Sequence, residues 1–408
     1  MTKIITHDNL TVQLQKGRDL ITEKEYRYWL CNLPGFGAKK ISELLRRFGS
    51  AEAVWRSTEE DIKKVMEEGN EDYRLFRTMD LAHICEGKNT LEQAMESYHK
   101  LGKKGIRFII PEDRTYPARL KSLYDMPQGL YISGSVPGDE KPAAAIVGAR
   151  NCSHYGAEMA FILARELCSR GVDVISGMAL GIDGEAHRGA LAAKNSIPGE
   201  GHLSGQQTKC GGSGATYAVL GCGVDVCYPR TNSDIYHQVD GIISEFPPGI
   251  QPVPPNFPMR NRIISGLSDM VIVVEARFRS GSLITADQAL EQGRDVYAVP
   301  GRVTDSLSKG CNELIRQGAG IITDPVEFAG NLFPKQDKIV PNHKKSKIAL
   351  ALSEEKVYSC LDFNPTHLGS IVDQTGFSTQ DTVGILMQLM MKDLVTETSK
   401  NYYALKFR

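Results

Sequence analysis

The sequence predicts an α/β protein: a doubly wound, mostly parallel sheet, with a helical unit before it and a small helix-plus-hairpin unit after it. Three observations carry this prediction. Short apolar, largely β-branched runs recur at Ala143–Val147, 172–175, 217–220, 242–243, 271–274, 296–299 and 321–322. Helical patterns such as 157–168 and 284–291 lie between them. The runs are continuous rather than alternating, as in strands buried on both faces by crossover helices.

In chain order, residues 1–105 read as a helical domain. The stretch Cys31 to Lys40 is a tight turn between two helical patterns, and Ile41, Leu44, Leu45 and Phe48 follow at core spacing. Its Gly35-Phe36-Gly37 turn, beside Lys39 and Lys40, resembles a helix-hairpin-helix, whose backbone N–H groups can meet a phosphate. The motif is short and occurs once, so a tight turn in a helical bundle is the preferred reading. Residues 106–333 form the α/β domain, which two further strands at 107–110 and 129–132 extend. Within it, 194–214 is rich in glycine, serine and glutamine and reads as a surface insertion between a helix and a strand. Residues 334–352 form a linker bearing Pro334, Pro341 and several lysines. Residues 353–408 supply helices near 354–361, 367–375 and 379–392, then a hairpin around Ser399-Lys400-Asn401, which together suggest a winged helix. Its candidate recognition helix, 379–391, has no basic residue, so a protein-contact role is expected rather than groove reading.

A chain of 408 residues fits two or three domains. No apolar run is long enough to cross a bilayer, and the amino terminus lacks the apolar core of a signal peptide. Nine scattered cysteines, an odd number, point to reduced thiols in a cytoplasm rather than a disulfide framework. With a net charge of −1, any nucleic-acid binding must come from a local patch, not a basic whole-protein field.

Phe257-Pro258-Met259-Arg260-Asn261-Arg262 is the most informative stretch. Its guanidinium forks suit phosphate and its ring suits a stacked base, just ahead of an apolar helix face. Glycine-bearing loops follow several strands: Gly148-Ala149-Arg150 before a helix near Tyr155-Gly156, then Ser176 to Asp183, and Arg279 to Ala286 with Gly281, Ser282 and Thr285. A glycine at a strand end lets a phosphate approach the backbone, and the following helix N-terminus favours its charge. Asp183 and His187 share a helix face but lack a third metal ligand, so an N-cap and a packing histidine are expected. His202, Cys210, Cys222 and Cys227 fit no closed zinc pattern. No catalytic triad or carboxylate pair stands out. The loops converge instead on one rim, as an extended anionic ligand requires.

These motifs, in this order, resemble the DprA (DNA-processing protein A, Smf) family. Tyr228-Pro229, Ser244-Glu245, Glu275-Ala276, Pro300-Gly301 and Gly310 to Ile315 add to the resemblance, which runs from about Tyr116 to Phe328. It implies an extended Rossmann-like domain holding single-stranded DNA, in a homodimer that protects incoming DNA and loads a RecA-type recombinase during natural transformation. No catalysis, metal or cofactor is implied. Gly148, Ala149 and Arg150 match the family's Gly-Ser-Arg loop, with alanine replacing serine, and Phe257, Arg260, Asn261 and Arg262 match its Phe-x-x-Arg-Asn-Arg motif intact. Gly281, Ser282 and Thr285 are further phosphate contacts on the same grounds. The insertion at 194–214 departs from the family pattern. The rival is a nucleotide-binding or nucleotide-hydrolysing protein related to phosphoribohydrolases, but their Pro-Gly-Gly-x-Gly-Thr loop is absent here.

Overall fold

The computed structural model describes residues 21–68, 75–195, 213–334, 350–362, 365–392 and 394–406. The interior of the 194–214 insertion and most of the 334–352 linker lie outside these residues.

Among the described residues six helices come first: α1 (Glu23–Cys31), α2 (Ala38–Phe48), α3 (Ala51–Arg56), α4 (Glu59–Glu68), α5 (Thr78–Lys88) and α6 (Leu91–Lys103). A reciprocal Thr22–Glu25 capping box starts α1, and Gly49, left-handed at φ 86°, stops α2. Their apolar faces bury Trp29, Leu30, Leu44, Ile62 and Ile84. Lys40 pairs with buried Asp80 at 2.6 Å and donates to the Gly35 carbonyl at 2.9 Å. The charge beside the Gly-x-Gly turn therefore holds the bundle together, in line with the preferred reading.

The sheet has nine strands: β1 (Ile106–Ile109), β2 (Leu130–Gly134), β3 (Ala143–Val147), β4 (Asp173–Ser176), β5 (Thr216–Leu220), β6 (Gly241–Ser244), β7 (Met270–Val273), β8 (Asp295–Ala298) and β9 (Gly320–Ile321). They lie in the order β1-β2-β6-β5-β4-β3-β7-β8-β9. Pairings β1–β2 and β2–β6 are antiparallel and all others parallel. The connections are α7 (His154–Ser169), α8 (Ile182–Asn195), α9 (Ser233–Tyr236), α10 (Asn256–Gly266), α11 (Gly281–Glu291) and α12 (Lys309–Arg316), with α13 (Pro325–Leu332) after β9. Both faces are covered. Ala145, Val147, Val271 and Val273 pack towards Ile263 and Ile264 of α10, while Ala144, Ile146 and Ile272 pack towards Leu163 and Leu167 of α7. The expected doubly wound α/β fold is observed, with most strand ends moved by one residue.

The helical front and the sheet share a third core. Tyr28 of α1 meets Phe108 of β1 edge-on at 5.2 Å and Tyr131 of β2 at 6.0 Å. Gly129 leaves no room for a side chain there, because a Cβ would collide with the Phe108 ring and approach Cys31 Sγ at 3.1 Å.

The last unit contains α14 (Leu352–Ser359), β10 (Thr366–His367), α15 (Leu368–Thr375), α16 (Thr379–Met391), β11 (Val395–Ser399) and β12 (Tyr402–Leu405). Its small sheet has the order β10-β12-β11, and its own core includes Val357, Ile371, Leu386 and Val395.

Candidate nucleic-acid interface

The chain winds from β3 outward to β6, then crosses back to β7 on the other side of β3. Adjacent β3 and β7 thus send their following loops in opposite directions, which opens a crevice at their carboxyl ends. A cleft of about 710 Å³ lies there. Of the expected residues, Gly148, Ala149 and Arg150, then Phe257, Arg260 and Asn261, then Gly281, Ser282 and Thr285 all line it. Arg262 does not.

Phe257 is half-buried. The exposed Arg150 guanidinium lies 4.9 Å from its ring centroid, and Tyr228 stacks on it at 5.9 Å with a 29° tilt. Beneath this shelf Arg260 is buried. Its Nη1 donates to the carbonyls of Gly177 at 2.8 Å and of Val219, and its Nε donates to Asn261 Oδ1 at 3.2 Å. Burial pulls its guanidinium down to about 10, opposed by nearby Asp183. Arg260 is a strut joining α10 to the ends of β4 and β5.

The motif lies inside α10, not ahead of it, and this corrects the expectation for Arg262. Positions two apart on a helix diverge by roughly 200°, so Arg260 and Arg262 cannot serve one groove. Arg262 Nη2 lies 2.5 Å from Glu245 Oε2, and its Nε lies 3.3 Å from Asp125. Glu245 is deeply set, and burial raises its carboxyl group despite the pull of Arg262.

The helix starts also differ from one another. At α7 the site is taken: Glu275 accepts from the Ser153 N–H at 2.9 Å and from its hydroxyl, and a Cβ on Gly156 would collide with that carboxylate. Burial raises the Glu275 carboxyl, opposed by the Ser153 hydrogen bonds. The α7 N-terminus is therefore satisfied by the protein itself. Gly148 is required by packing, since a Cβ would meet Ile182 Cγ1 at 2.6 Å and the Glu275 carbonyl at 3.0 Å. At α11 the hydroxyl of the cap residue Ser280 accepts no bond from the helix backbone and instead meets that of Ser282 at 2.8 Å. Gly281 is exposed, with open space where a Cβ would sit. The α11 start, with its partial positive charge, is the one of the two that faces the cleft unfilled.

Asp183 is not an N-cap but lies in the first turn of α8. It accepts from the N–H groups of Gly177 at 3.1 Å and Ala179 at 3.4 Å, so it folds its own loop back. Burial raises its carboxyl, opposed chiefly by Arg260. His187 is fully buried, with Nδ1 2.7 Å from Thr216 Oγ1, as a packing residue should be. Among the described residues no group of three His, Cys, Asp or Glu could hold a metal; His202 and Cys210 lie outside them. No described helix is long and apolar enough to cross a membrane.

Arg277 and Ser280 also line the cleft, and the sequence reading did not assign either to the site. A signal was available for Arg277: it opens the basic-aromatic run Arg277-Phe278-Arg279 in the loop after strand β7. Tyr228 entered only as part of the resemblance, and only the fold brings it against Phe257.

Residues 107–332, more than half of the chain, match the family described as DNA recombination-mediator protein A. This chain belongs to that family. The DNA processing protein DprA of Streptococcus pneumoniae is 37% identical over 277 residues, spanning 65% of this chain and 90% of that one. Protein Smf of Synechocystis sp. is 29% identical over 419 residues, spanning 92% of this chain and 98% of that one. The X-ray structure of DNA processing protein A from S. pneumoniae superposes with a TM-score of 0.60 at 31% identity, covering 76% of this chain and 98% of that one. The DprA/Smf family thus supplies the α/β core, and the cleft lies within the part that matches.

Proposed function

We propose that this family member binds single-stranded DNA along the cleft and passes the strand to a RecA-type recombinase. It would do so as a cytoplasmic homodimer that protects the DNA meanwhile, as in natural transformation. One observation carries the reading: two exposed arginines, an unfilled helix start and an aromatic shelf meet in a single cleft. Arg150, Arg277 and the α11 N-terminus would hold phosphates, with Ser282 and Thr285 as lesser donors. A base would stack at Phe257 and Tyr228. Gly148, Ala149, Arg260 and Asn261 would shape the site, and Arg262 would support α10 from behind. The 106–333 unit would carry the strand, and the last unit, as a winged helix, would serve protein contacts. Sequence-tolerant binding is expected, because stacking and phosphate contacts do not read base edges.

The enzymatic reading fares worse. Asp183, the carboxylate that lines the cleft, is spent on two backbone donors, which favours binding over acid–base hydrolysis. The test is a titration of the protein with fluorescent oligothymidine and, separately, with nucleoside monophosphates. Tight, salt-sensitive oligonucleotide binding is expected, without turnover. Preferential binding or hydrolysis of the monophosphates would make the rival reading the better one.

A further inference from the structure

We propose that Phe278 is a second base-stacking station, so that the cleft engages a run of nucleotides rather than one. The inference rests on the single-strand reading above and extends it. Phe278 is 65% exposed, among the most exposed of the large apolar side chains. It sits between two residues that line the cleft, Arg277 and Ser280. The segment is a β-turn, closed by the Ser280 N–H donating to the Arg277 carbonyl at 3.1 Å. Arg279 takes the left-handed conformation at φ 62°, uncommon for a residue with a side chain. Such a conformation persists where the surroundings impose it.

Both flanks of the turn are fixed. The Ala276 N–H donates to the Leu307 carbonyl at 2.7 Å, and the Gly310 N–H donates to the Ala276 carbonyl at 2.8 Å. On the other side the chain enters α11 at Ser280, whose carbonyl accepts from the Leu283 N–H at 3.1 Å and whose hydroxyl meets that of Ser282. A turn pinned at its base thus displays a ring to solvent. The Arg279 guanidinium lies 5.6 Å from that ring, and Arg277 is exposed beside it. A ring under a guanidinium repeats the chemistry of Phe257 under Arg150.

The two rings lie apart. Phe257 packs over Gly221, just past the end of β5, whereas Phe278 follows β7. Those strands are separated by β4 and β3, three spacings of sheet, or about 14 Å. One base cannot reach both rings. The α11 start and Arg277 lie at the Phe278 side of the cleft, so a phosphate held there would precede or follow the base on Phe278.

The test compares wild-type protein with Phe278→Ala, Phe278→Tyr and Phe278→Leu, against oligothymidines of increasing length. Phe278→Ala is expected to bind long oligonucleotides about tenfold more weakly, within the range for loss of one stacked base. The shortest oligonucleotides should bind both proteins equally. Phe278→Tyr should restore the affinity and Phe278→Leu should not. In Phe278→Trp the new indole emission should be quenched by the long oligonucleotide but not by thymidine monophosphate. Equal binding by wild type and Phe278→Ala at every length overturns the proposal while leaving the cleft as a strand site. A change in sedimenting mass without a change in affinity overturns it too, by making the ring a subunit contact. Failure of the wild type to bind any oligonucleotide instead removes the reading on which it rests.

Discussion

Arg262→Ala is expected to cost fold stability and to leave the number of phosphate contacts unchanged. The Arg262 side chain is 7% exposed, and its partner Glu245, 2.5 Å away, is 17% exposed. Truncation strands the Glu245 carboxylate in a low-dielectric site, and breaking a buried pair in this way costs about 3–5 kcal/mol. Asp125, with a side chain 32% exposed, can rehydrate and adds little. In a unit of this size each kcal/mol moves the melting temperature by roughly 2–4 °C, so a fall on the order of 10 °C follows. The deficit depends on pH. Burial already raises the Glu245 carboxyl, and loss of the arginine raises it further. A group whose folded pKa is raised contributes stability that is present at low pH and lost as pH climbs towards the folded value. The gap between variant and wild type should therefore be narrower at pH 5 than at pH 8. The assay pairs thermal melts with oligothymidine affinity measured over a series of salt concentrations. Arg150→Ala is the contrasting variant: its guanidinium is exposed in the cleft, so its melt should match wild type while the log–log salt slope falls by about 0.7. The double variant Arg262→Met, Glu245→Gln should regain much of the lost stability, because no buried carboxylate is then left unpaired and the partly exposed Asp125 can rehydrate. If Arg262→Ala melts with wild type yet loses one contact from the slope, the buried-pair argument is wrong.

Two further outcomes follow from the site and its surroundings. Phe257→Ala should weaken oligonucleotide binding by about 1–3 kcal/mol and leave the salt slope intact, since stacking releases no counterions; a flattened slope in a titration would mean that the ring acts only by aiming Arg150. Burial holds His187 neutral, with its pKa pulled down to about 3. A group depressed in this way contributes stability above its unfolded value, near 6.5, that is lost as pH falls towards the folded one. His187→Asn should accordingly flatten the decline in urea stability between about pH 6 and pH 4, and an unchanged decline would assign the acid sensitivity to other groups.

The sheet was legible because its signal is local. Ala143–Val147 carries five buried apolar side chains in a row, and its length and the glycine that follows favour a buried strand. That the cleft lies at the carboxyl ends of the strands was legible too, from the doubly wound pattern, but the reversal between β3 and β7 that opens it shows only in the strand order of the fold. What each polar group does was harder to read. Gly148 and Gly156 looked like phosphate loops, but Glu275, more than a hundred residues away in sequence, fills the helix start between them. That carboxylate appears in the sequence only as one end of Glu275-Ala276. Arg262 is different, because its role could have been found. Placing the start of α10 at Asn256 rather than after Arg262 puts the two arginines on opposite sides of the helix. Pro254 and Pro255, which precede that start, were the available signal.

The contact of Tyr28 with Phe108 and Tyr131 makes the front of the protein more than an accessory. Each ring carries on the order of 150–250 Å² of surface. Cutting the chain between α6 and β1 would uncover an apolar patch around Phe108 and Tyr131 at the edge of the sheet. The same rings would sit on the outermost hairpin of the sheet, where unsatisfied backbone groups already invite pairing with another chain. The helices thus cover that edge of the sheet, and in chain order they precede it. Gene rearrangement can exchange this pair of units together, but a sheet that loses its helical front would need new residues at 108 and 131 at once.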